Sequence, residues 1–153
     1  MSDDRISGMV NITEKPPVQR VATATGLIRL KESTVEAIRS GQIKKGDALT
    51  TARIAAVLAV KDTPRIIPMC HPILITGIDV DFNIDKETVE ATVTVTSVGK
   101  TGVEMEALTG VTAALLNIWD MVKYLEKDET GNYPETEIDG IKALEKRKGA
   151  TGY

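Results

Sequence analysis

Residues 77–96 read GIDVDFNIDKETVEATVTVT. Ile78, Val80, Phe82 and Ile84 fall on one side of an extended chain, with Asp79, Asp81 and Asn83 on the other. Period-two alternation marks a strand with one dry and one wet face. After Asp85, Lys86 and Glu87 the alternation resumes, with Val89, Ala91, Val93 and Val95 on the dry side. Two such runs around a short polar turn predict a β-hairpin in an antiparallel sheet with one face open to water.

The flanking segments complete a domain around that hairpin. Upstream, QRVATATGLIRL (19–30) alternates threonine with apolar residues like a strand. STVE at 33–36 has capping-box spacing and opens a short helix that Gly41 closes. Asp47 is placed to cap a second helix. Its positions 52–60 are apolar except for Arg53, a composition that predicts burial on most sides, and Pro64 ends it. Downstream, TGVE at 101–104 has the same capping spacing and starts the longest helix, about 103–126. Its middle, LTGVTAALLNIWDMV, is apolar nearly all round, which points to burial between subunits. IDGIKALEK reads as a weak final strand. The order resembles the ferredoxin-like α+β arrangement, a four-stranded antiparallel sheet with helices packed on one face. Residues 1–15 read as a flexible N-terminal arm ahead of a single catalytic domain at 16–153.

Composition narrows the functional classes. The chain has 153 residues, 42% hydrophobic and 27% charged, with a formal net charge of −3. That is ordinary for one globular domain and argues against a broad nucleic-acid face. No apolar run reaches the ~20 residues of a membrane span. The acidic start MSDDRISGMV does not fit a secretory signal. One cysteine cannot form an internal disulfide, so a reducing, cytoplasmic setting is expected. One His and one Cys cannot supply the roughly four ligands of a structural zinc from a single subunit.

The chemistry-bearing residues are few. Cys70 and His71 are adjacent, within IIPMCHPI (66–73), and Pro68 and Pro72 stiffen the backbone around them. A rigid loop holding an imidazole suits recognition or acid–base work, while Cys70 reads as a small packed residue. SVGKTGVE (97–104) invites a phosphate-loop reading, but that pattern needs glycine where Thr94 stands. What remains is a helix N-terminus beside Lys100, either an anion seat or an ordinary capped helix. Glu104 and Glu106 favour the helix dipole, and two residues of spacing turns them roughly 200° apart. Asp120 and Lys123 form either a simple intrahelical pair or, if the carboxylate is buried, an acid–base element. Lys44, Lys45 and Asp47 read as a solvated turn. Glu106 and Asp120 lie on one helix about 21 Å apart. A site using both ends would therefore join the start of one subunit's helix to the end of another's.

Several stretches taken together are more specific. MVNIT (9–13), RVATATG (20–26), KKGDALTTARIAA (44–56), IIPMCHPI (66–73) and GKTGVEMEALTGVTAALLNIWDMVK (99–123) resemble the cyclic pyranopterin monophosphate synthases, the molybdenum cofactor biosynthesis protein C family. The resemblance runs from about Met9 to Lys148. It implies a ferredoxin-like lyase that converts (8S)-3',8-cyclo-7,8-dihydroguanosine 5'-triphosphate to cyclic pyranopterin monophosphate and diphosphate. It also implies a homohexamer, a trimer of dimers, with sites between subunits. Carried over by position, Asp120, Lys123 and Lys45 are the catalytic residues. Met69, Cys70, His71, Met105 and Glu106 line the substrate site, with Glu104, Arg20 and Lys146 as further substrate-binding residues. Asn11 stands where many relatives have aspartate, with little effect expected. No resident cofactor is implied, although a magnesium ion could accompany the triphosphate. Two rivals are a non-catalytic purine-nucleotide-binding oligomer, which would bind substrate without turnover, and a metalloprotein with His and Cys ligands shared between subunits.

Overall fold

The computed structural model describes residues 8–151; residues 1–7, part of the expected arm, lie outside them. Strands β1 (Val18–Arg29), β2 (Ile75–Ile84), β3 (Thr88–Gly99) and β4 (Glu137–Thr151) form one sheet in the order β2-β3-β1-β4. Every neighbouring pair is antiparallel. The helices α1 (Glu32–Arg39), α2 (Ala48–Lys61), α3 (Thr63–Ile66) and α4 (Glu104–Glu126) fill the connections. The α+β arrangement expected from the alternating segments is therefore present.

The hairpin forms as its alternation demands, with Val80 opposite Val93 and Phe82 opposite Ala91. Val89, Ala91, Val93 and Val95 lie beneath α4, each fully buried. Helix α4 is held between this sheet face and α2. Alanines 48, 52 and 56 of α2 are buried at that contact, and their small side chains let the helices approach closely. Gly110 marks the tightest point: a Cβ there would lie 2.8 Å from Val60 Cγ2 and 3.1 Å from Val93 Cγ1.

Five expectations need correction. The N-cap of α1 is Lys31, two residues before Ser33, and no local side chain caps it. The N-cap of α4 is Val103, and Thr101 makes no capping bond. Pro64 does not simply end α2; it sits in the first turn of the short helix α3. Helix α2 is not buried on most sides, because Ile54 and Leu58 are more than half exposed. The final strand is also longer than IDGIKALEK, spanning 15 residues along β1 with register shifts.

The missing cap of α1 is supplied from a distance. The Glu126 carboxyl, fully buried at the end of α4, accepts the Lys31 N–H at 3.2 Å and hydrogen bonds from the Thr34 and Thr136 hydroxyls. One acidic side chain thereby joins α1, α4 and the entry to β4. It does across the fold what a capping-box glutamate does within one helix. Glu126→Ala would strand three buried donors, and we expect it to cost about 2–4 kcal/mol of stability. Chemical denaturation of Glu126→Ala beside the wild type checks this, with a loss below half of the lower figure counting against the role.

Candidate active site

The N-terminal end of α4 is covered by two different elements, which resolves the opposed directions of its glutamates. The proline-flanked loop after α3 lies over Glu106 and brings the Cys70 thiol within 3.9 Å of Glu106 Oε2, where the S–H donates. Glu106 is only 1% exposed, and its Oε1 has no hydrogen-bond partner among the described residues. Burial raises the Glu106 pKa, its own backbone N–H opposes that, and the Glu104 charge adds to the rise. Glu104 turns to β4, where Oε1 lies 3.7 Å from Lys146 Nζ while the buried Oε2 has no hydrogen-bond partner among the described residues. Ser97 Oγ, near the end of β3, is a third buried oxygen lacking a partner among the described residues.

Strand pairing sets cations beside these carboxyls. Arg20 of β1 is opposite Lys148 of β4, and Ala22 is opposite Lys146. Arg20 is buried and its Nε donates to the Gly99 carbonyl at 3.2 Å, which fixes the guanidinium at the helix entry. Arg20, Lys146, Arg147 and Lys148 line a cavity of about 280 Å³ with Gly102 and Val103. Cations beside the first turn of a long helix make a seat for a polyanion. Met69 and Met105, 56% and 38% exposed, lie in the same region of the chain as Cys70 and Glu106 and stand ready for an apolar contact. A larger cavity of about 560 Å³, lined in part by Arg29, Lys31, Glu32, Glu87, Glu135 and Glu137, mixes both signs of charge and buries no titratable side chain. Size alone does not make it the site.

His71 follows Cys70 in the proline-flanked loop and contacts the segment before β1. Its Nε2 is 2.6 Å from the Val10 carbonyl, and Lys100 Nζ donates to the Thr13 carbonyl at 3.0 Å. Lys100 is thus engaged by the chain itself rather than waiting at a helix N-terminus for an anion. Asn11 Oδ1 accepts both the N–H and the hydroxyl of Thr13, a role any side-chain acceptor of that length fills.

A second cluster occupies the C-terminal part of α4. Lys45 Nζ is 3.0 Å from Asp120 Oδ2 and 3.2 Å from the Asp120 carbonyl, while Lys123 Nζ is 3.2 Å from Oδ1. Lys45 reaches it from the turn before α2, where Gly46 takes φ +119°. The Tyr124 hydroxyl accepts the Lys44 N–H at 2.9 Å and anchors that turn to the helix. Hydrogen bonds from Lys45, then Lys123, hold the Asp120 carboxyl below its usual range. Asp120 is half exposed, so the buried-carboxylate reading does not apply; it is an ionised bridge between two amines. Within one chain this trio stands about 21 Å along α4 from Glu106. The two clusters do not meet.

Among the described residues no group of three or more His, Cys, Asp or Glu side chains could hold a metal, and no helix is long and apolar enough to cross a membrane.

A MoaC family model matches residues 9–149. The chain belongs to the MoaC family. A protein of Methanosarcina mazei named probable cyclic pyranopterin monophosphate synthase is 63% identical over 141 residues, covering 92% of this chain and 90% of that one. One of the same name from Aeropyrum pernix is 59% identical, covering 94% and 98%. A Methanothermobacter thermautotrophicus relative named probable cyclic pyranopterin monophosphate synthase accessory protein is 54% identical, covering 96% and 92%.

For this family member, sequence reasoning overlooked the contacts of Val10, Asn11 and Thr13 and the part played by Tyr124. The ties of Val10, Thr13 and Tyr124 are set by tertiary pairing of segments about 60 to 90 residues apart, which no local pattern signals, while Asn11 bonds locally to Thr13. Arg147 and Lys148, which also line the cavity, were not singled out in the sequence.

Burial, with Glu106 adding, pushes the Cys70 thiol up, so it is protonated at neutral pH. We expect Cys70 to alkylate at least ~10-fold more slowly than a free cysteine, and Glu106→Gln to quicken it. Timed labelling with iodoacetamide checks both; a wild-type rate equal to the free amino acid's contradicts the environment described.

Proposed function

We propose that this protein is a cyclic pyranopterin monophosphate synthase, a phosphorus–oxygen lyase. It would act on (8S)-3',8-cyclo-7,8-dihydroguanosine 5'-triphosphate in molybdenum cofactor biosynthesis, in the cytoplasm. The observation that carries the reading is the presence of two incomplete clusters in a MoaC family chain. One is a cationic cavity with buried carboxyls, the other an exposed Lys–Asp–Lys trio, and both are built from the residues the family resemblance names. We place the α4 end of one copy against the α4 start of another, within a homohexamer built as a trimer of dimers.

The chemistry follows from charge. Converting a triphosphate to a cyclic monophosphate forms a bond from a sugar hydroxyl to the α-phosphorus and breaks the bond to the leaving diphosphate. The hydroxyl proton must reach a base, and the diphosphate carries away the bond's electron pair. Arg20 and Lys146, with Arg147 and Lys148 beside them, neutralise the leaving group. Rearranging the purine to a pterin moves further protons. Lys123 serves as general base and Lys45 as general acid, with Asp120 orienting both amines. Glu106, whose buried Oε1 lacks a partner among the described residues, turns its carboxyl to the ring, with Glu104, Met69, Cys70, His71 and Met105 around it. No dedicated metal ligands stand among the described residues, so any magnesium would be held by the substrate's phosphates.

Turnover of the cyclised nucleotide, followed as diphosphate release, tests the proposal. Lys45→Ala and Lys123→Ala should each lose at least ~100-fold in rate while remaining assembled. Binding without turnover by the wild type would instead favour a nucleotide-binding oligomer. Mixing inactive Lys123→Ala with inactive Arg20→Ala chains should restore about a quarter of the sites, since one intact cluster then comes from each parent. No recovery on mixing would place both clusters of a site in one chain.

A further inference from the structure

The segment from Gly8 to Thr13 is tied by two of its carbonyls to His71 and Lys100. Near Gly8 it reaches Met69, whose Sδ would lie 4.0 Å from a Cβ at that glycine. The Val10 carbonyl then meets His71 Nε2 at 2.6 Å, and the Thr13 carbonyl takes the Lys100 ammonium at 3.0 Å. Between these points Asn11 closes a turn on Thr13 and the Lys15 N–H donates to the Ile12 carbonyl. Residues 9–13 enclose a cavity of about 440 Å³ together with His71 and Lys100. Peptide carbonyls only accept, so the bond to Val10 fixes a proton on Nε2 of the imidazole. In the neutral ring the other nitrogen, Nδ1, then carries the lone pair.

We propose that residues 8–13 act as a positioning strap for His71, setting it as an Nδ1 acceptor for an N–H or O–H donor of the bound nucleotide, with Asn11 and Lys100 as its fasteners. The inference rests on His71 belonging to the substrate site. The arm is then part of the site's architecture, and His71 takes its orientation from the chain's beginning as well as from its flanking prolines. A ring held by one fixed acceptor presents one tautomer and one face. Binding then needs no reorientation of the imidazole.

His71 is the only histidine, so its imidazole can be observed alone in the full-length, 15N-labelled protein. A protected Nε2–H correlation is expected, because the Val10 carbonyl only accepts. The double variant Asn11→Ala, Lys100→Ala should lose that signal through rapid exchange with water. In turnover assays its KM for the cyclised nucleotide should rise roughly 3- to 10-fold, the worth of one neutral hydrogen bond, with kcat altered less. An Nδ1–H tautomer in the wild type, or a signal surviving in the variant, overturns the strap. A signal lost with KM unchanged overturns its positioning role. The spectroscopic result stands whether or not the wild type turns over, so failure of the enzyme assignment and failure of the strap remain distinguishable.

Discussion

Everything in this molecule depends on the burial of one long helix. Helix α4 lies between a sheet face of valine and alanine and the small-residue side of α2, close enough at Gly110 that a methyl group would collide with two valines. Burial of that middle drives folding and leaves only the two ends free for polar chemistry. The helix ends are therefore where charge collects: Glu104, Glu106 and their cationic neighbours at one, Asp120 and Lys123 at the other, with Glu126 sealed beyond them. The rigidity of twenty-three residues of helix then sets the spacing of the functional groups.

That spacing shapes the functional argument more than any single contact. A pocket with a polyanion seat but no ready base is incomplete, and so is a lysine pair bridged by an ionised aspartate with no enclosure around it. Each supplies what the other lacks. Exposed Leu58, Ile66 and Leu116, on α2, α3 and α4, leave an apolar surface beside the helix pair.

The fold was legible where burial imposes a period. Two faces of a strand differ in every second residue, and Ile78 to Val95 declares the hairpin without help from the rest of the chain. Helix ends were less legible. STVE and TGVE have capping spacing, yet the first helix starts at Lys31 because Glu126, far along the chain, satisfies that end instead. Asp47, whose partner Thr50 is local, was placed correctly. The same distinction runs through the site. The residues named by motif fall into two coherent clusters, but the carbonyl of Val10 carries no side-chain signature and its tie to His71 arises from tertiary placement alone.

The last strand carries a further implication. β4 runs along the sheet's edge with one side of its backbone unpaired by the fold, an invitation to other chains. Its residues 145–148 read Glu-Lys-Arg-Lys, and such density of charge deters edge-to-edge pairing. Those like charges hold two copies of the edge apart. Neutralising them would loosen the protein's defence against fibrous self-association.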